Sequence, residues 1–163
     1  MARIFAWIWG GKMKKIIALL LLSLSLIGCT NKYRDISAEE LSNNILSVID
    51  KSNYSKGDSK KLKRFYGLNS SDYEDFALYL PSSAINVNEF LIIKVKNDKQ
   101  VDEIEESVDA RINKQIANFN GYSPENIAYL EDYYLTNIGQ YVFFVVGEDS
   151  EKIADEFKKS IKY

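Results

Sequence analysis

The chain has 163 residues, with 21 Lys and Arg against 23 Asp and Glu, a formal charge of −2, one Cys and no His. Its 46% hydrophobic and 13% aromatic content, with two Pro and eight Gly, excludes low-complexity and collagen-like classes and suits one folded domain. Missing His removes the commonest general base and metal ligand, and a lone Cys allows no internal disulfide and no Cys-based zinc site. His-dependent triads and thiol–disulfide exchange are therefore excluded, and no metal or cofactor is expected.

Residues 1–28 read as a signal peptide. Met1 to Lys12, MARIFAWIWGGK, is an apolar stretch ahead of Met13-Lys14-Lys15, which is by itself an ordinary signal start. Gly10-Gly11-Lys12 is also what a translated ribosome-binding site would encode, so Met13 is the expected true start, with a longer n-region or a hydrophobic hairpin as the alternative. Ile16 to Ile27 follows as 12 uncharged residues. A helix needs about 20 residues to cross the roughly 30 Å of hydrocarbon, so this run has the length of a signal h-region rather than a span. It ends Leu26-Ile27-Gly28-Cys29, which resembles the lipobox of bacterial lipoproteins. That resemblance implies cleavage between Gly28 and Cys29, a diacylglyceryl group on the Cys29 thiol, and an acyl chain such as palmitate on the new amino terminus. The alternative is a buried Cys at the end of a core helix.

Processing changes the charge. Removing residues 1–28 takes Arg3, Lys12, Lys14 and Lys15 but no acid, leaving 135 residues with 17 basic and 23 acidic, a balance of −6. An acidic chain without a basic stripe is a poor nucleic-acid partner, since phosphate neutralisation dominates that binding. Anionic lipid would repel it, so the membrane would be reached through acyl chains, two of which suffice for stable anchoring. Residues 29–36 read as the lipidated Cys and a short tether, and 37–163 as a single α+β domain.

In that domain Ser37 and Glu40 have capping-box spacing, and Ile36 with Leu41 forms a hydrophobic staple. Leu41, Ile45, Val48 and Ile49 recur at helical spacing. Lys51 to Gly57 reads as a polar loop, and a short helix from about Asp58 carries Leu62, Phe65 and Tyr66 to a stop at Gly67. Phe76 to Leu80 reads as a strand ended by Pro81. The polar link Ser82 to Asn88 leads to a second strand, Glu89 to Lys96, with Leu91, Ile93 and Val95 on one face. Asn97 and Gln100 cap a long helix with an apolar stripe at Val101, Ile104, Val108, Ile112, Ile116 and Phe119. After a linker containing Pro124 come strands at Tyr133 to Asn137 and Tyr141 to Val146. The last is apolar on both faces, as a central strand covered on at least one side would be. Ile153, Phe157 and Ile161 mark a final helix. The predicted order is α-α-β-β-α-β-β-α, a four-stranded, mainly antiparallel sheet with helices on one face.

Several short stretches recur in an order and spacing that resemble a known family. They are Phe65-Tyr66-Gly67-Leu68, Ala84 to Lys94 with Glu89 opening the strand, Tyr122-Ser123-Pro124-Glu125, Leu130-Glu131 and Gly139-Gln140-Tyr141-Val142. From about Ala38 to Lys159 the chain resembles the domain-of-unknown-function 4358 family, small lipoproteins of low-GC Gram-positive bacteria. The resemblance implies a lipoprotein and an α+β fold, and carries no established activity.

For chemistry, the mature chain has no G-x-S-x-G, S-x-x-K, P-loop or D-x-D-x-D pattern. Asp102/Glu106 and Glu105/Asp109 are acid pairs at i, i+4, the usual solvated side of an amphipathic helix. Tyr122, Tyr129, Tyr133 and Tyr134 form the more suggestive cluster, since tyrosine gives contact area with a polar tip. They are the candidate ligand or partner surface; packing tyrosines along the sheet is the alternative. The expected role is a non-enzymatic binding or assembly module on the outer face of the cytoplasmic membrane, with an envelope protein or wall ligand as partner. An envelope hydrolase using carboxylates or Ser/Lys is the alternative.

Overall fold

The computed structural model describes residues 33–163. The signal segment, Gly28 and Cys29 lie outside the described residues. Among the described residues no helix is long and apolar enough to cross a membrane.

Helix α1 (Ala38–Leu46) begins where Ser37 Oγ accepts a hydrogen bond from the Glu40 amide at 3.0 Å, and it buries Leu41 and Ile45. Strand β1 (Tyr54–Gly57) precedes α2 (Ser59–Tyr66). Asp58 caps α2 by accepting from the Lys61 amide at 2.9 Å. Gly67 ends it at φ 75°, a left-handed position that penalises any Cβ. Strands β2 (Asp75–Pro81) and β3 (Glu89–Lys94) follow. Asn97 and Gln100 make the expected capping box ahead of α3 (Val101–Phe119). The chain then forms α4 (Pro124–Glu131), β4 (Tyr134–Ile138), β5 (Tyr141–Val146) and α5 (Ser150–Ile161).

The five strands make one sheet in the order β1-β2-β3-β5-β4, every neighbouring pair antiparallel. Leu91 sits opposite Phe144 and Ile92 opposite Phe143 at its centre. The side-chain period of two divides these strands between two separate cores. On one face Leu78, Leu91, Ile93, Val142, Phe144 and Val146 pack with Leu62 of α2, the α3 stripe and Leu130 of α4. On the other, Tyr79, Phe90, Ile92, Phe143 and Val145 pack with Leu41 and Ile45 of α1 and Ile153, Phe157 and Ile161 of α5.

The α+β class and the antiparallel sheet agree with expectation, and three details do not. The sheet has five strands rather than four, because the segment read as a polar loop supplies β1, which pairs Ser55 with Leu80 and Lys56 with Tyr79. The segment read as a linker is helical, with Pro124 in its first turn where a missing N–H costs nothing. The helices cover both faces rather than one: β3 and β5 are buried at all their positions, and each apolar face needs its own layer. The described order is therefore α-β-α-β-β-α-α-β-β-α.

Candidate functional site

Three polar side chains enter the core on the α2/α3 face. Glu89, at the start of β3, points to the same side as Leu91 and Ile93 and is 1% exposed. Arg111 lies on α3 in phase with Val108 and Ile104, and Tyr66 lies one turn after Leu62 on α2. The Arg111 guanidinium grips the Glu89 carboxylate from the side, Nη2 donating to Oε2 at 2.7 Å and Nε to Oε1 at 3.2 Å. The Tyr66 hydroxyl also donates to Glu89 Oε1. Arg111 rests on the Phe65 ring, 4.7 Å from its centroid. Burial would lower the Arg111 pKa, but the hydrogen bond and charge of Glu89 outweigh it and hold the guanidinium above its ordinary value. Burial, reinforced by the Glu89 charge, holds the Tyr66 phenol well above 10.0.

The sign of that shift gives a prediction. Below pH 10 both folded and unfolded chains keep the Tyr66 proton, and its contribution to stability is whole. Above pH 10 the unfolded chain releases the proton while the folded chain holds it, so stability falls as pH rises. An alkaline titration followed by phenolate absorbance and circular dichroism should show Tyr66 ionising only with loss of secondary structure. Full phenolate absorbance from a chain that is still folded would contradict this.

Of these three, Arg111 lines an open groove of about 420 Å³ between α2, α3 and the link Ser82 to Asn88, where Glu89 and Tyr66 hold it from the core side. Phe65, Leu80 and Phe119 supply apolar wall, while Lys61, Arg111 and Gln115 supply polar groups. No Asp or Glu is among its lining residues. Its surroundings carry two of the most exposed large apolar side chains described, Ile85 at 78% and Tyr122 at 65%. Tyr122 packs on Phe119 of the wall, ring centroids 5.5 Å apart. Ile85 adjoins Ala84 of the wall, and its carbonyl accepts from Asn126 Nδ2 at 2.9 Å. The size is that of a small-ligand site, typically ~300–1,000 Å³. Among the described residues no group of three acids, Cys or His is placed to hold a metal ion.

The model of a domain of unknown function (DUF4358) matches residues 47–147, from just after α1 through β5. The chain belongs to the DUF4358 family. No curated protein and no solved structure matches it. The groove and the Glu89, Arg111 and Tyr66 triad fall wholly within the matched DUF4358 segment.

The four tyrosines singled out in this DUF4358 chain do not form one cluster: Tyr133 and Tyr134 border a shallow pocket beside α5, which Tyr122 and Tyr129 do not line. Tyr133 packs on the α3 side against Phe144 and donates to Asp109 Oδ1 at 2.7 Å, whereas Tyr134 packs on the opposite side against Phe143, with Lys158 Nζ 4.6 Å from its ring centroid. Tyr129 is half-buried against the first core. Tyr122 is the exposed member, and it adjoins the groove. Asp102, Glu105, Glu106 and Asp109 line no part of the groove.

Glu89 stands out in the sequence only as the residue opening the second strand, and Arg111 and Gln115 not at all, though a signal for two of them exists. Glu89 is in phase with Leu91, Ile93 and Val95, and Arg111 is in phase with Val108 and Ile104. A charge that keeps step with an apolar stripe is buried or faces a partner.

Proposed function

We propose that this DUF4358 protein is a lipid-anchored extracytoplasmic module that binds a ligand in the α2/α3 groove without chemical turnover. The groove is the observation that carries the binding role: it is ligand-sized, is lined by the Arg111 of a buried ion pair and is bordered by exposed apolar side chains. The anchor rests on the apolar run Ile16 to Ile27 and on the sole Cys falling at the position a lipobox requires. A sheet packed by helices on both faces suits a role in which the site is preformed and the tether supplies reach. The outer face of the cytoplasmic membrane is the corresponding location, with an envelope protein or wall component as partner.

Two experiments test the two halves. A photo-crosslinking residue at Ser83, on the groove wall, should give a discrete adduct in intact cells, while the same residue at Glu151 on α5 should not. Equal crosslinking at both positions, or none at Ser83, counts against the groove. Cys29→Ala should leave the precursor uncleaved and without incorporated labelled palmitate. Normal processing of that variant would refute the anchor.

A further inference from the structure

Arg111 and Gln115 stand one turn apart on α3, are 8% and 7% exposed, and both line the groove. Glu89 occupies only the side of the guanidinium formed by Nε and Nη2. The Nη1 group has no partner among the described residues and is not among the fully buried polar atoms, so the end-on Nη1/Nη2 fork remains open to a ligand. The Gln115 amide likewise makes no hydrogen bond among the described residues and is not sealed from solvent. Lys61, on the facing helix, has no ion pair among the described residues. Unspent donors on side chains this buried are otherwise a cost, since the groups that hold them in place also remove them from bulk water.

We infer that the groove is a carboxylate site for a peptide end: Arg111 and Lys61 receive a terminal carboxylate, Gln115 pairs with the adjoining peptide group, and Phe65, Leu80 and Phe119 take an apolar terminal side chain. This rests on the groove being the binding site proposed above and names what enters it. The end-on guanidinium fork matches the two oxygens of a carboxylate. Glu89 already balances most of the Arg111 charge, so with Lys61 the groove offers about one net positive charge, which suits a monoanion better than a phosphate dianion. In a chain that is acidic as a whole, a groove lined by two cations and no acid is a local reversal of sign.

The test is calorimetric titration of the detergent-solubilised full chain with three probes: N-acetyl-alanyl-leucine, its carboxamide and inorganic phosphate. The free acid should bind, and the carboxamide should bind about tenfold or more weakly. Phosphate should neither match the acid nor displace it. Lys61→Gln, which breaks no ion pair, should weaken the acid several-fold and leave the carboxamide unchanged. Gln115→Ala should weaken both probes. Arg111→Lys, which keeps the charge and loses the fork, should narrow the difference between them; should that variant fail to fold, Lys61→Gln still decides the matter. Equal affinity for acid and carboxamide removes this inference and leaves the groove as a binding site. Phosphate binding as well as the acid also overturns it. If no probe binds, the carboxylate assignment falls, while the Ser83 crosslink independently judges the groove.

Discussion

Glu89→Ala should destabilise the fold by about 3–5 kcal/mol, the cost of leaving a buried charge without its partner. Arg111 would keep a guanidinium that is 8% exposed with its counter-ion gone, and Tyr66 would keep a buried hydroxyl with no acceptor. Urea unfolding should show a lower midpoint at nearly unchanged slope, since the surface exposed on unfolding changes little. Glu89→Gln retains the shape and part of the hydrogen bonding, so it should fall between Glu89→Ala and the parent chain. The double variant Glu89→Leu/Arg111→Met should recover much of the loss, because a buried pair contributes little beyond a well-packed apolar replacement. A cost below 1 kcal/mol for Glu89→Ala would mean the triad is solvated and Arg111 is not held in place at the groove. If the double variant is as stable as the parent, retention of the ions is better explained by their open donors than by stability.

Phe143→Ala should cost about 3–5 kcal/mol, as for a large aromatic removed from a core that cannot collapse around the gap. Phe143 is 0% exposed and stacks on Phe157 of α5 with centroids 4.1 Å apart and planes 8° from parallel. Its neighbour Phe144 faces the other way, toward Tyr66 and Tyr133. The two substitutions therefore probe the two layers separately. In a sheet covered on one face only, Phe143 or Phe144 would be exposed and its removal nearly free. Comparable losses for both, with costs that add when combined, are expected for two cores separated by the sheet. A near-zero loss at either position would contradict the second layer.

Much of the fold is legible in the chain because local rules and tertiary packing agree. Ser37 and the Asn97/Gln100 pair are caps in sequence and in structure, the helix expected from about Asp58 starts there, and Leu41/Ile45 and Val101 through Phe119 show the helical stripes they fulfil. The differences arise where local and long-range terms disagree. Tyr54-Ser55-Lys56-Gly57 has no apolar alternation, and it is a strand only because β2 offers it an edge. Tyr141 to Val146 is apolar on both faces, a pattern that already asked for two helical layers. Pro124 breaks a helix interior but starts one equally well. Lys94 shows the same principle at the other core: it keeps step with Phe90 and Ile92, and its ammonium reaches Asp35 and Glu74, each at 2.6 Å.

The site was less legible than the fold. Tyrosine abundance singles out Tyr122, Tyr129, Tyr133 and Tyr134, yet Tyr133, just before β4, and Tyr134, its first residue, pack their rings on opposite sides of the sheet. The groove instead depends on residues from α2, the β2–β3 link and α3, which meet only once the sheet has formed. Composition could not supply that juxtaposition. What it could supply was the phase of Glu89 and Arg111 against their apolar neighbours.

The central claim is an anchored module, and the most direct measurement is mass spectrometry of the N-terminal peptide from the membrane-extracted protein. The account predicts a peptide that begins at Cys29 and carries a diacylglyceryl group on its thiol. An unmodified Cys29 within a chain that still contains Ile16 to Ile27 would contradict it.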